Sequence, residues 1–275
     1  MHKINSFYPT LGQSWAVVAI FLIASLALSF LVAINQAFSG TSPGSWIMLI
    51  GYIIPFFFVN WYIHRQQRKL RQPVSPDEYT VMDVSHITGT RRKLSPMLYL
   101  WLLLFTPLLA IVVEPLTAWL PMPEYIQGLF ENISQRNVPT LLMIAIAAPL
   151  CEEWMCRGVI AKGLLWHMTP AKAIVWSAFI FALIHLNPWQ AVPAFVFGLF
   201  LGYVYWKTQS LWPCIFIHFV NNGFSYLLLY LFPDMNASAT MHDVAGDDYW
   251  KLYLIAALAA VYVGYLVKKQ LTVEY

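Results

Sequence analysis

The chain has 275 residues, of which 59% are hydrophobic and only 11% are charged, and its formal net charge at pH 7 is +3. Soluble globular domains carry about 25% charged residues, so this composition excludes an ordinary soluble domain. The basic residues lie at the ends of apolar runs rather than on a separate soluble segment, which argues against nucleic-acid binding.

Apolar runs long enough to cross a bilayer recur along the sequence and predict an all-α, polytopic membrane protein with about eight transmembrane helices. The runs form a single membrane domain, residues 1–275, and are expected at Ser14–Ile34, Ser45–Ile63, Met97–Leu120, Pro139–Leu165, Ala171–Leu186, Trp189–Trp206, Leu211–Leu231 and Tyr249–Val267. Pro107 predicts a kink in the third run, and Pro115 predicts its end. Glu114 is expected near the outer interface, with a buried supporting role as the alternative.

Loop charge predicts the orientation of these helices. The loop at residues 64–96 is the longest and the most basic, and it includes consecutive basic residues at 91–93. Basic loops stay in the cytoplasm, so both termini are predicted to be cytoplasmic. The link Pro121–Val138 and the acidic loop after Leu231 then lie outside. The short loops favour a bacterial inner (plasma) membrane.

Charged residues interrupt the fourth run. Glu152, Glu153 and Arg157 follow an uncharged stretch that begins at Pro139. Ionised groups at the centre of a membrane helix cost about 2.5–3.5 kcal/mol each on insertion scales, so they need a reason to be there. Glu153 and Arg157 are four residues apart and are predicted to pair on one helix face. Glu152 is left without a partner, which predicts a functional site.

Polar residues in two other runs are candidates to work with Glu152. His185 lies near the end of the fifth run, and His218 and Asn222 share one face of the seventh. Glu152 and His185 lie at nearly equal offsets from the turn near Thr169, so a helical hairpin places them at one depth. His218 lies about 10 Å along its helix, so the depths agree only if the hairpin tip protrudes by about 10 Å. We therefore predict a site in the cytoplasmic half of the bilayer that opens toward the cytosol.

These residue types are suited to hydrolysis. A carboxylate and an imidazole, such as Glu152 and His185, can take a proton from water. A second imidazole and a carboxamide, His218 and Asn222, can hold the oxyanion of a tetrahedral intermediate. Alternatively, Glu152, His185 and His218 could bind a divalent metal such as zinc, and no HExxH motif decides between the two mechanisms.

The ordered motifs Glu152-Glu153-x-x-x-Arg157, Phe181-x-x-x-His185 and His218-x-x-x-Asn222 resemble those of a known family. It is the CAAX-protease and bacteriocin-processing family of intramembrane endopeptidases, which includes the type II CAAX prenyl endopeptidases. The resemblance covers about residues 139–226, the expected catalytic core. It implies an α-helical membrane fold with a polar cavity open to the cytosolic leaflet, and hydrolysis of a peptide bond in a membrane-associated substrate.

The resemblance also implies a role for each residue of the motifs. Glu152 and His185 would activate the water, and His218 and Asn222 would stabilise the oxyanion. Glu153 and Arg157 would hold the helix and orient Glu152. The family is usually described as metal-dependent, although a metal-free glutamate mechanism fits the same residues. Outside the motifs, Gly198 and Gly202 are predicted to let another helix approach closely.

Two other classes of function stay open from the sequence. A non-catalytic bacteriocin-immunity or scaffold protein would use the same pocket only for binding. A small proton-coupled transporter would use Glu152 and the histidines as a proton relay. The expected partners are membrane lipid and a peptide or protein substrate at the cytoplasmic leaflet. The sequence predicts neither the substrate itself nor the oligomeric state.

Overall fold

A computed structural model describes residues 7–40, 43–70, 94–232 and 240–272 of the chain. These ranges fold into helices joined by turns and contain no strand, which confirms the all-α prediction. Seven of their helices are long and apolar enough to cross a membrane, and a further apolar helix is shorter. The protein is therefore an integral membrane protein of about eight helices. The basic residues 91–93 lie outside the described ranges.

The helices follow the predicted order along the chain. The first part forms α1 (Leu11–Ser39), α2 (Ser45–Leu70), α3 (Pro96–Val113) and the short helices α4 (Pro115–Ala118) and α5 (Glu124–Ile133). The central part forms α6 (Val138–His167), α7 (Pro170–Leu183), α8 (Pro188–Thr208) and α9 (Leu211–Leu231). The short α10 (Met241–Ala245) and the long α11 (Tyr249–Thr272) complete the order. As predicted, the third run is divided at Pro115. The helix α5, in the link between α4 and α6, is not predicted from the sequence.

The fifth predicted run is shorter than a membrane span. Helix α7 has 14 residues and ends at Leu183, short of the predicted end at Leu186. Leu186 has a φ of 57°, in the left-handed region, and so turns the chain. Asn187 caps α8 by accepting a hydrogen bond from the backbone N–H of Gln190 at 2.9 Å. Within the described ranges, seven long helices and one shorter apolar helix thus form the bundle, in agreement with the prediction of about eight.

One end of the bundle, named here the acidic end, gathers residues 40, 43–45, 114–137, 186–189 and 240–251. Ser45 donates a hydrogen bond to Gln135 at 3.0 Å, and the hydroxyl of Tyr249 donates to Glu114 at 3.1 Å. Among the residues that the structure describes, the charged side chains of this end are mainly carboxylates. They are Glu114, Glu124, Glu131, Asp243, Asp247 and Asp248, beside the cations Arg136 and Lys251.

The opposite end, named here the terminal end, gathers residues 7–10, 162–172, 207–211 and 265–272. Phe7 stacks on Trp166 with ring centroids 4.7 Å apart, and Pro9 lies against Gly163. Helices α3 and α11 pack antiparallel, which brings the start of α3 and the end of α11 to this end as well. Its charged residues include Lys162, Lys172, Lys207, Lys268 and Lys269. The links between helices that the structure describes therefore alternate between the two ends, as the predicted path requires.

Helix α6 lies at the centre of the bundle and carries the charged motif. Within its most apolar stretch 56% of the residues are buried, compared with 17–39% for the other long helices. Beside it, helices α7 and α8 pack tightly against each other. A Cβ atom on Gly198 of α8 would lie only 2.9 Å from the Cα of Ala178 in α7. One on Gly202 would lie 3.1 Å from Ile174. The predicted close approach at these two glycines is confirmed.

Candidate active site

The backbone of α6 changes its hydrogen-bonding pattern on both sides of the charged motif. Residues Leu142–Ala147 and Trp154–Ala161 are π-helical, and such segments often occur at functional sites. In the first segment the N–H of Ala148 donates to the carbonyl of Met143, five residues earlier. The next residue, Pro149, has no N–H and cannot donate to Ile144.

The carbonyl of Ile144 is bound instead by a side chain from α9. The Nδ2 atom of Asn222 donates to it at 2.8 Å. Asn222 in turn accepts a hydrogen bond from Asn221 at 3.2 Å. Because an amide nitrogen carries two hydrogens, Asn222 keeps one donor beyond this backbone contact. Its position is therefore explained by the proline in α6, and it still has a free hydrogen-bonding group.

Glu152 lies on the side of α6 that faces α2. Its Oε1 atom accepts a hydrogen bond from the hydroxyl of Tyr52 at 2.5 Å. Its Oε2 atom is buried and has no hydrogen-bond partner within the described residues. The residue as a whole is 9% exposed, so Glu152 is almost fully removed from the surface. The predicted unpaired carboxyl thus has one oxygen held in place and one oxygen free.

Glu153 forms the centre of a fully buried charge network. Its Oε1 atom accepts from Nη1 of Arg157 at 3.0 Å, as the spacing in the sequence predicts. The same oxygen lies 2.8 Å from Nδ1 of His218. Arg157 also donates from Nη2 to the carbonyl of Gly198 at 3.2 Å and lies 4.3 Å from the ring centroid of Phe181. This network joins α6, α7, α8 and α9 around the site.

His185 lies just beyond the end of α7. Its backbone N–H donates to the carbonyl of Ala182 at 3.2 Å, instead of to the carbonyl of Phe181 as in a regular α-helix. The carbonyl of Phe181 therefore does not accept the backbone hydrogen of His185. Nδ1 of His185 lies 2.8 Å from that carbonyl. A carbonyl only accepts, so Nδ1 carries the hydrogen and Nε2 is the free nitrogen of the neutral ring. The ring of Phe181 lies between the two histidines, 5.2 Å from His185 and 5.6 Å from His218.

The four polar side chains of the predicted reaction meet at one cavity. A cavity of about 770 Å³ is lined by Glu152, His185, His218 and Asn222, together with Tyr52 and many apolar side chains. Glu153 and Arg157 do not line it and lie behind its wall. The arrangement separates residues that can touch a bound molecule from residues that hold them.

Residues 134–224 match the protein-family model described as type II CAAX prenyl endopeptidase Rce1-like. These residues form an Rce1-like segment. It contains every predicted site residue, and the match confirms the resemblance found in the motifs. It supports CAAX-type intramembrane protease activity in general. No curated protein and no solved structure matched the chain.

The cavity extends from the Rce1-like segment to the acidic end of the bundle. Its lining continues through Glu114, Phe130 and Ser134 to Met241 of α10. The helix offsets and the loop charges predict a cytosolic opening together with cytoplasmic termini. In the structure the cavity lining reaches the acidic end, which lies opposite the terminal end, so the leaflet of the site and the side of the termini stay predictions.

The hairpin between α6 and α7 extends past the start of α9, and its protrusion from the membrane stays a prediction. Gly158 of α6 lies against Leu211, the first residue of α9, where a Cβ atom would lie 3.1 Å from the leucine side chain. His167 at the end of α6 lies nine residues further along, or about 13 Å of helix. The tip of the hairpin therefore extends beyond the start of α9, as the depths of Glu152 and His218 require.

The proposed zinc ligands of the Rce1-like segment do not come together as a ligand set. Across the described ranges, no group of three or more His, Cys, Asp and Glu side chains could hold a metal ion. Glu152 is bound to Tyr52, and His218 turns its Nδ1 toward Glu153. The residues in this arrangement therefore do not fit a metal ion, and the zinc site stays a prediction.

Sequence reasoning missed two contacts of the Rce1-like segment. Tyr52, which binds Glu152, lies in α2, a helix that gave only a generic hydrophobic pattern. Glu153 was expected to orient Glu152, whereas its carboxylate binds Arg157 and His218. No local motif marks Tyr52, because its partner lies 100 positions away in the chain. The contact between Glu153 and His218 agrees with the similar depth that the helix offsets predict for Glu152 and His218.

Proposed function

We propose that the protein is an intramembrane endopeptidase that hydrolyses a peptide bond in a membrane-associated peptide or protein. The observation that carries this proposal is the convergence of Glu152, His185, His218 and Asn222 on one cavity inside the bundle. The Rce1-like match supports the same class of reaction. The largely apolar wall suits a substrate that partitions into lipid, and the few polar groups are those that hydrolysis needs.

The first step activates water between α6 and the end of α7. Oε2 of Glu152 accepts one proton of the water, and Nε2 of His185 accepts a hydrogen bond from its other hydrogen. The resulting hydroxide attacks the carbonyl carbon of the scissile peptide bond and forms a tetrahedral intermediate. The C–N bond then breaks, and Glu152 returns the proton to the leaving amine.

The negative oxygen of the intermediate is bound by groups of α9. Asn222 contributes the amide hydrogen that Ile144 does not use. His218 contributes Nε2, which is a donor when the ring is protonated, because its Nδ1 hydrogen is directed at Glu153. The contact between Nδ1 of His218 and Glu153 orients the imidazole, so the charge network behind the wall supports the oxyanion site.

The orientation in the membrane is also part of the proposal. Because the terminal end is basic and the acidic end carries most carboxylates, we place both termini in the cytoplasm of a bacterial inner membrane. The cavity then opens at the opposite face, and the scissile segment of the substrate enters from there. This placement replaces the cytoplasmic-leaflet site that the sequence analysis predicted.

The proposal is tested with purified protein in lipid vesicles and quenched fluorescent peptides that carry an apolar membrane anchor. We expect cleavage by the wild-type protein and a loss of about 100-fold or more for Glu152→Gln and for His185→Ala. Glu131→Gln, at an exposed position of α5, is the control and should cleave normally. Equal cleavage by Glu152→Gln and wild type would refute the assignment. Peptide binding without cleavage would favour the immunity or scaffold function.

Metal analysis of the same preparation separates the two mechanisms. Full activity in chelator, with no metal bound at stoichiometric amounts, is expected from the arrangement of Glu152 and His218. Loss of a stoichiometric metal together with activity would show that Glu152, His185 and His218 rearrange to bind zinc.

A further inference from the structure

Tyr52 of α2 places a hydroxyl group on the carboxyl of Glu152. Its oxygen lies 2.5 Å from Oε1, and the phenol donates to the carboxylate. Tyr52 also lines the cavity, although it lies outside the Rce1-like segment. Part of the site is therefore built by a helix that the family match does not include.

We propose that Tyr52 is a positioning residue of the active site, which holds Oε1 of Glu152 and leaves Oε2 to face the water. This inference rests on the proposed peptidase function and deepens it. A carboxyl group without such a contact turns about its terminal bond and presents either oxygen. One fixed hydrogen bond removes that freedom and keeps the reacting oxygen in place.

The free oxygen of Glu152 supports this division of roles. Buried polar atoms are normally hydrogen-bonded, and an exception needs an explanation. Oε2 of Glu152 is buried, has no partner among the described residues and belongs to a residue that lines the cavity. Oε2 of Glu153 also has no partner there, but Glu153 does not line the cavity. Of the two glutamates, Glu152 is therefore the one whose unpaired oxygen belongs to the cavity wall, where a water bound in the cavity can become its partner.

The ring of Tyr52 is held by other aromatic side chains. Its centroid lies 5.7 Å from that of Phe56, and the ring of Phe56 lies 4.9 Å from that of Phe21 in α1. Offset and tilted aromatic pairs of this kind restrict the rings. The hydroxyl therefore reaches Glu152 from a supported wall rather than from a mobile side chain.

A polar joint at the acidic end ties α2 to the start of α6. Asn137 donates from Nδ2 to Ser45 at 2.9 Å, and its Oδ1 caps α6 by accepting from Thr140 at 3.0 Å. Ser45 donates to Gln135 at 3.0 Å. The same short segment thus fixes the first residue of α2 and the first turn of α6. This joint keeps Tyr52 and Glu152 in register.

The test compares Tyr52→Phe with wild type in the vesicle cleavage assay. The substitution keeps the ring and removes only the hydroxyl. We expect kcat to fall by about 10- to 100-fold, the size that loss of one hydrogen bond to a charged group produces. KM should stay within about twofold, because the lost contact acts on the reacting group rather than on binding. Tyr265→Phe, at an exposed position of α11, should be unchanged.

A second background distinguishes positioning from a general structural effect. In Glu152→Asp the shortened carboxylate no longer reaches the hydroxyl, so adding Tyr52→Phe should cause no further loss. An equal loss in both backgrounds, or an unchanged kcat for Tyr52→Phe, would overturn the role of Tyr52. Failure of the peptidase assignment looks different, because wild type and Glu152→Gln would then have the same activity.

Discussion

Nδ1 of His218 lies 2.8 Å from the Glu153 oxygen that also binds Arg157. The two adjacent glutamates of α6 therefore have different tasks. Glu153 belongs to a buried network that holds four helices, and Glu152 faces the cavity with one free oxygen. The two roles can be tested separately: that of Glu153 by the stability of the fold, and that of Glu152 by the rate of cleavage.

Substitution of Glu153 should destabilise the fold. In Glu153→Gln the buried guanidinium of Arg157 loses its anionic partner, and removing one member of a buried pair costs about 3–5 kcal/mol. Thermal unfolding in detergent should show a clear decrease in Tm. Glu152→Gln should unfold close to wild type, since glutamine still accepts from Tyr52. Equal Tm values for both variants would contradict the assigned division.

The structural role and the chemical role of Asn222 can be distinguished with a second substitution at Pro149. Asn222→Ala leaves the carbonyl of Ile144 unpaired, at a cost of about 1–3 kcal/mol. Pro149→Ala restores a backbone N–H that can donate to Ile144, so the double variant should lose less stability than the sum of the two changes. Its cleavage rate should stay low if Asn222 binds the oxyanion. Recovery of both stability and rate would show that Asn222 only supports the helix.

Gly198 should not tolerate a methyl group. A Cβ atom would lie 2.9 Å from the Cα of Ala178, a backbone atom that cannot move aside cheaply. We expect Gly198→Ala to lower the free energy of unfolding by about 1–3 kcal/mol, as overpacking does. Gly223→Ala is the matched control, because nothing lies within 4 Å of its new Cβ atom. A stable Gly198→Ala protein would mean that α7 and α8 separate more easily than the structure indicates.

The orientation of the bundle in the membrane can be determined by thiol labelling. With Cys151, Cys156 and Cys214 replaced by alanine, single cysteines are introduced as Asp247→Cys at the acidic end and Thr272→Cys at the terminal end. A membrane-impermeant maleimide added to intact bacterial cells should label the first and not the second. The reverse pattern would place the cavity opening in the cytoplasm and would contradict the orientation that loop charge predicts.

The sequence predicted the helical bundle and its alternating path well. Apolar runs near bilayer length are a strong signal, because every spanning segment must satisfy its own backbone. The pairing of Glu153 with Arg157 was also predictable, since residues four apart share a helix face. The six polar residues of the motifs could be predicted as site candidates because each interrupts an apolar run, and four of them form pairs with this spacing.

The remaining features depend on contacts between distant segments. The partner of Glu152 comes from α2, 100 positions away, and no periodicity within either helix points to it. The early end of α7 follows from the Asn187 cap and the turn at Leu186, a local choice that outweighs an apolar pattern. The direction of the cavity opening depends on the packing of α4, α5 and α10. Short connecting helices of this kind carry little hydrophobic pattern.

The short α7 has a consequence for the lipid around the protein. With 14 residues it is about 21 Å long, whereas the hydrocarbon layer of a typical bilayer is about 30 Å thick. On that flank we expect the bilayer to thin and the hydrated headgroups to lie closer to His185. We therefore expect acyl-chain length to affect the cleavage rate, and vesicles made of longer chains should slow the reaction by withholding water.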